Sequence, residues 1–247
     1  MIDVLLTPDD LVAAEAILPE SQVVILDILR ATSTVVTALH AGARDVLLFD
    51  SLDAARAVKA SGKVPVPVVM AGESHCLKPA DFDLGNSPRE HVTEKVGGAT
   101  VLLSTTNGTR AAYRARTAKT IFIGSLLNAG ATAEALLADL DAGHTLFICA
   151  GTDGKLALED AIGAGAMLFN LLQSTYRADL PFTDRAWLAY HAFAAVKPRL
   201  GAALRLGVGG INVIEAGLEE DIDHCAQLDA MPLVARVDGE TLRVVRV

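Results

Sequence analysis

The amino-acid sequence predicts an α/β fold, layered α/β/α, built as a tandem of two similar α/β halves with a cleft between them. Three observations predict it. Short β-branched runs alternate with longer alanine-rich segments, which is the pattern of βαβ units. Apolar residues make up 51% of the chain but aromatics only 4%, so small side chains are available for close helix-on-sheet packing. Residues 23–43 and 145–166 also echo one another. Each reads as strand, polar loop and helix, carrying His40-Ala41-Gly42-Ala43 in one and Gly163-Ala164-Gly165-Ala166 in the other. At 247 residues the chain can bury a large core, as one unit or as two half-size ones. The two halves are expected at 1–130 and 131–247.

Apolar runs predict strands at 2–6, 22–27, 44–49, 66–70, 100–103, 120–123 and 145–149. Helical patterns lie between and beyond them, at 8–16, 34–41, 51–60, 108–115, 128–138 and 157–172. Asp50-Ser51 supplies a cap for the third of these. Residues 71–91 match neither period, and a stretch of that length in a compact domain reads as a functional loop. A helix from 184 to about 196 follows, then a glycine-rich turn, Gly207-Val208-Gly209-Gly210. Two alternating runs, 233–237 and 242–247, flank Asp238-Gly239 and predict a hairpin.

A formal net charge of −9 argues against a nucleic-acid partner, which would call for a basic stripe. No apolar run reaches the length of a membrane span, and the first residues lack the basic flank of a secretory signal. The expected location is cytoplasmic, and a homodimer is the default assembly. Cys76, Cys149 and Cys225 have neither metal-site spacing nor the number for a disulfide scaffold. Walker, dinucleotide-fingerprint and nucleophile-elbow motifs are absent, which lowers NTPase, NAD-linked and serine-esterase readings.

Two consecutive strand-to-helix loops carry the functional signal. Thr105-Thr106-Asn107-Gly108-Thr109-Arg110 and Gly124-Ser125-Leu126-Leu127-Asn128-Ala129 both follow a buried run and open an alanine-rich segment. Hydroxyls, free N–H groups at a helix start and a guanidinium are what a phosphate requires. The competing reading is that these are ordinary helix caps. Thr105, Thr106, Asn107, Gly108, Thr109, Ser125 and Asn128 are the candidate phosphate contacts.

Asp27 ends a buried run and Arg30 follows it, before Ala31-Thr32-Ser33-Thr34. A carboxylate at a strand end suits a Mg²⁺ ligand, and a nearby arginine suits a phosphate clamp; a salt bridge plus a cap is the alternative. Glu159 and Asp160 open the helix after residues 149–154, where helix-dipole complementarity alone would also place acids. Carboxylates from separate loops would make a hard oxygen site, so Asp27, Glu159 and Asp160 are the candidate Mg²⁺ ligands. In the long loop, Glu73, His75, Asn86 and Ser87 are candidate substrate contacts, with Asp81 and Asp83 beside them. Lys78, Arg89 and Lys155 are further cations for an anionic tail, and a lone loop histidine such as His75 is otherwise a surface residue.

With these residues in view, the chain resembles the 2-phosphosulfolactate phosphatase family. The resemblance rests on residues 24–34, Gly72-Glu73, residues 82–88, residues 105–110, residues 124–129, and Cys149-Ala150-Gly151 with Glu159-Asp160. It implies a tandem of related α/β halves. It also implies a Mg²⁺-dependent phosphatase that converts (R)-2-phospho-3-sulfolactate to 3-sulfolactate and phosphate. Asp27, Arg30, Arg110 and Glu159 are the residues on which catalysis is expected to rest, acting on a small anionic phosphomonoester. Another such phosphomonoester, or a non-catalytic anion- or metabolite-binding module using the same loops, are the alternatives.

Overall fold

The computed structural model describes residues 1–175 and 179–247. Its strands are β1 (Ile2–Leu5), β2 (Ser21–Leu26), β3 (Asp45–Phe49), β4 (Val68–Gly72), β5 (Thr100–Ser104), β6 (Thr120–Gly124), β7 (His144–Cys149), β8 (Ala235–Asp238) and β9 (Arg243–Arg246). The α-helices are α1 (Pro8–Ala14), α2 (Ala31–His40), α3 (Leu52–Ala60), α4 (Thr93–Val96), α5 (Gly108–Arg114) and α6 (Ala129–Leu136). They continue with α7 (Leu158–Thr175), α8 (Asp184–Val196), α9 (Leu200–Leu204), α10 (Val208–Glu215) and α11 (Glu220–Cys225).

The strands form one sheet in the order β1-β7-β2-β6-β8-β9-β3-β5-β4. It contains two parallel blocks, β1-β7-β2-β6 and β3-β5-β4, joined through the β8–β9 hairpin, which pairs antiparallel to β6 on one side and β3 on the other. β7 inserts between β1 and β2, so the first block draws strands from both sides of residue 130. From β2 to β5 the sheet takes five strand-to-strand steps. At ~20–25° per step the twist accumulates to about 100–125°, and residues following β2, β4 and β5 line one cleft.

Both faces of the sheet are buried. Val23 and Ile25 enter one apolar cluster with Leu5, Val35, Val36 and Ala112, while Val24 and Leu26 enter another with Phe147, Ile162, Leu168 and Phe193. Alternate residues of one strand therefore face different helical layers, as a sheet with helices on both sides requires. A third cluster sets Ala55 of α3 against Leu47, Met70 and Leu102.

Several elements depart from the sequence-based expectation. The strand expected at 66–70 begins only after Pro67, because Pro65 and Pro67 have no N–H to give a ladder. Residues 71–91 are not structureless: β4 runs through Gly72, Leu84 pairs with Ala71, and Pro88–Glu90 is a 3-10 turn. The glycine-rich segment expected as a turn opens a helix, with Gly207 as the residue before α10. The helix expected at 34–41 starts earlier, at Ala31, because Thr32 Oγ1 and N–H both donate to the Asp27 carbonyl, at 2.9 Å and 3.0 Å. The helix expected at 8–16 gives way after Ala14 to a 3-10 stretch, Glu15–Glu20, that contains Pro19. The hairpin forms where it was expected, with Asp238 Oδ1 accepting from Glu240 N–H and Thr241 N–H.

Candidate active site

β2 is buried throughout and delivers Asp27 from its C-terminal end into a cleft of ≈ 690 Å³. Asp27 is 8% exposed, and its Oδ1 accepts the Ala31 N–H at 3.2 Å. Burial raises the carboxyl to about 6, with the Glu73 charge adding to the rise, while the N–H groups of Ala31 and Gly108 and the Arg30 charge oppose it. Gly108 is pressed against this carboxylate: an ideal Cβ there would lie 2.8 Å from Asp27 Oδ2.

Arg30 also lines the cleft and is 3% exposed. Its Nη1 pairs with Asp221 Oδ2 at 2.7 Å and its Nη2 donates to the Cys76 carbonyl at 2.9 Å. Asp221, on α11, is itself fully buried and accepts Ser87 Oγ–H at 2.6 Å through its other oxygen. The guanidinium is thereby fixed from two sides, and its remaining N–H groups are held in one place.

The second sheet block contributes Glu73 after β4 and residues 105–108 after β5. Glu73 Oε1 accepts the N–H and the hydroxyl of Thr106, each at 2.8 Å, and its Oε2 accepts the Cys76 N–H at 2.9 Å. Glu73 thus ties the two loops into one wall. Asn107 precedes α5 without a side-chain cap, and the Thr105 hydroxyl is buried without a hydrogen-bond partner among the described residues. Thr109 turns inward, its hydroxyl donating to the Thr105 carbonyl at 2.8 Å. Asn86 lines the cleft, its Oδ1 without a hydrogen-bond partner among the described residues, and His75, exposed and at φ 51°, lies on its rim.

Glu159 and Asp160 lie behind this surface. Asp160 Oδ1 accepts the Ile28 N–H at 2.8 Å and Oδ2 the Gly151 N–H at 3.1 Å, so its carboxylate joins the ends of β2 and β7. Burial raises it well above the usual range, and the neighbouring Asp27 and Glu159 charges push the same way. Glu159 is 2% exposed and raised to about 7, first by burial and then by Asp27. Its Oε2 has no hydrogen-bond partner among the described residues. Gly209 sits on its other oxygen so closely that a Cβ there would lie 1.8 Å from Oε1. The glycines at the start of α10 are what allow that helix to approach the carboxylate.

Other expected contacts are placed elsewhere. Ser125 and Asn128 are fully buried: the Ser125 N–H donates to Asn128 Oδ1 at 2.8 Å, and Asn128 Nδ2 donates to the Ile123 and Leu233 carbonyls, both at 3.2 Å. In that loop the capping interpretation describes the side chains. Arg110 is exposed and lines a separate, smaller recess. Lys78 donates to the Phe82 carbonyl, Arg89 pairs with Glu220, and Asp81 and Asp83 pair with Arg56 and Lys59.

Sequence reasoning missed Asp221 and the far wall of the cleft, formed by Thr152, Asp153, Gly209, Asn212 and Glu215. Reading 207–210 as a helix start rather than a turn would have pointed to that wall. The cleft sets four carboxylates, Asp27, Glu73, Asp153 and Glu215, against one guanidinium, Arg30. An anionic phosphate entering such a lining needs a compensating cation.

Among the described residues no group of three or more His, Cys, Asp or Glu side chains is arranged to hold a metal. Asp27 and Glu159 nevertheless fit Mg²⁺: two buried carboxylates repel one another, and Glu159 Oε2 has no hydrogen-bond partner among the described residues. Mg²⁺ characteristically takes one or two carboxylates and completes its shell with water and substrate phosphate.

The family model for 2-phosphosulpholactate phosphatase matches residues 6–240. A probable 2-phosphosulfolactate phosphatase of Thermus thermophilus is 37% identical over 237 residues, covering 94% of this chain and 96% of that protein. The protein of the same name from Thermotoga maritima is 36% identical over 240 residues, covering 97% and 96%. That of Deinococcus radiodurans is 38% identical over 223 residues, covering 88% and 90%. With the model and these full-length relatives agreeing, the chain is an enzyme that belongs to the 2-phosphosulfolactate phosphatase family.

Proposed function

We propose that this phosphatase is Mg²⁺-dependent and hydrolyses a small anionic phosphomonoester, with (R)-2-phospho-3-sulfolactate the favoured substrate and 3-sulfolactate and phosphate the products. The observation that carries the reading is Asp27, buried at the cleft between Arg30 and the uncapped start of α5. The relatives' names support the choice of substrate. In this reading the substrate sits in a cleft between two α/β halves.

Arg30, anchored on Asp221, would direct its free N–H groups at the phosphoryl oxygens. The Thr105 hydroxyl and the N–H groups opening α5 would meet the same oxygens. Asp27, largely ionised above its raised value of about 6, would orient the attacking water. As the water oxygen bonds to phosphorus the ester P–O bond breaks, and one of the water's two protons passes to the departing alkoxide, giving the alcohol and hydrogen phosphate. Bound Mg²⁺, held by Asp27 and Glu159, would supply charge neutralisation at the phosphoryl group. Asp160 and Asp221 would serve by fixing the backbone and Arg30.

The setting belongs to the same reading: a cytoplasmic homodimer without nucleic-acid or membrane partners. The acidic net charge supports the exclusion of a nucleic-acid partner, and among the described residues no helix is long and apolar enough to cross a membrane.

The test is phosphate release with Mg²⁺ and with EDTA, and kcat/KM for phosphosulfolactate beside phospholactate and 3-phosphoglycerate. Turnover should require Mg²⁺ and favour the sulfonate. A preference for either non-sulfonated compound removes the named substrate, and undiminished turnover in EDTA removes the metal.

A further inference from the structure

A second recess of ≈ 250 Å³ adjoins the cleft, where β1 and β7 end and α1 and α5 begin or pass. The carboxyl ends of strands are where open α/β sheets gather ligands. Its volume lies below the ~300 Å³ at which drug-sized pockets begin, which limits an occupant to a few heavy atoms. Leu11 and Ile148 give it apolar walls. Cys149 lines it with a thiol that burial holds well above its usual range, and so neutral.

Arg110 and Arg114 both line this recess, four residues apart on α5 and so on one face of the helix. Arg114 is steadied by the Pro8 carbonyl at 3.2 Å and by Glu15 at 3.4 Å. Arg110 has neither a hydrogen bond nor an ion pair among the described residues, and it occupies the first turn of α5, where a cation opposes the helix dipole. A bound anion would relieve both conditions. In a chain of net charge −9, a recess with two guanidiniums and apolar walls is chemically distinct from the acid-lined cleft beside it.

We propose that this recess is a second ligand site, which takes a small organic oxyanion with a short apolar body, a carboxylate or a sulfonate. The oxyanion pairs with Arg110 and Arg114 while the body rests on Leu11 and Ile148. Its walls are shared with the cleft. Asn107 lines both recesses, and Gly154 of this one follows directly on Thr152 and Asp153 of the other. An occupant therefore touches one wall of the cleft, at Asn107, and the loop that leads into another, without entering the cleft.

Isothermal titration of the Mg²⁺-supplemented enzyme with propane-1-sulfonate and with butyrate tests the site. At least one probe should bind saturably, and the one that binds identifies the oxyanion. The R110A/R114A double variant should weaken that binding roughly tenfold or more, since each lost charge-assisted bond carries about that factor. The R30A variant should retain it. Should the double variant not fold, R110A alone serves, because its side chain holds nothing else in place. Three results overturn the site: no saturable binding of either probe, equal affinity in R110A and wild type, or loss of binding confined to R30A.

Discussion

Gly108 lies against Asp27: an ideal Cβ at position 108 would stand 2.8 Å from Asp27 Oδ2 and 2.9 Å from Ala31 Cβ. Neither neighbour is the free end of a long side chain. Asp27 Oδ1 is held by the Ala31 N–H, so the carboxylate has no low-cost way to swing aside. The glycine is there because β2 and the start of α5 meet at that point. G108A should therefore cost about 1–3 kcal/mol of stability through overpacking. By displacing Asp27 it should also lower kcat roughly tenfold or more. Denaturant unfolding and steady-state kinetics check both parts, and a variant with wild-type kcat would detach Gly108 from the reacting centre.

The buried carboxylates make a pH prediction. Asp27 and Glu159 are raised to about 6 and about 7, mainly by burial. An acid whose folded pKa exceeds its unfolded one favours the folded state most below the unfolded value and loses that contribution as pH rises through the folded value. For the metal-free enzyme, stability should fall between about pH 4 and 7, by on the order of 2–3 kcal/mol for each group. D27N and E159Q should thus be inactive or nearly so, yet more stable than wild type at pH 8 and indistinguishable from it at pH 4. Mg²⁺ should raise Tm at pH 8 in wild type and not in D27N. A D27N protein less stable than wild type at pH 8 would contradict the electrostatic account.

Much of the sheet was legible because its strands are short apolar runs bounded by polar loops, and Thr100–Ser104 and Thr120–Gly124 end within a residue of their expected limits. That Asp27, Arg30 and residues 105–107 would line the cleft was legible for the same reason, since strand ends in such sheets point at it. What stayed hidden depends on contacts distant in sequence. Asp221 reads as one acid among several in Glu219-Glu220-Asp221-Ile222-Asp223, and only the fold shows that it alone is buried against Arg30. Ser125 and Asn128 mislead in the opposite direction, because a capping loop and a phosphate loop use the same residue types. The hairpin was legible as a hairpin, whereas its place as the join between two parallel blocks was not.

The Arg30–Asp221 pair is the part of the site most sensitive to a single change. Removing one partner of a buried ion pair leaves an uncompensated charge and costs about 3–5 kcal/mol. D221N should lower Tm on the order of 10 °C. S87A removes only one hydrogen bond to the same carboxylate and should cost about 1 kcal/mol. Thermal unfolding of the two variants side by side decides the matter. Equal losses would mean that Arg30 is held by something other than Asp221.

The stereochemistry at phosphorus distinguishes the two ways in which Asp27 can act. Attack by water is a single in-line displacement and inverts the phosphoryl group, whereas an aspartyl-phosphate intermediate requires two displacements and restores the configuration. Asp27 accepts a hydrogen bond from the Ala31 N–H, which withdraws charge from the carboxylate and makes it a poorer nucleophile. Its neighbours Ile28 and Leu29 offer no second acid close by in sequence to assist a leaving group. Hydrolysis of a substrate carrying a chiral, isotopically labelled phosphoryl group should therefore proceed with inversion. Net retention would establish a covalent phosphoenzyme intermediate and remove direct water attack from the mechanism.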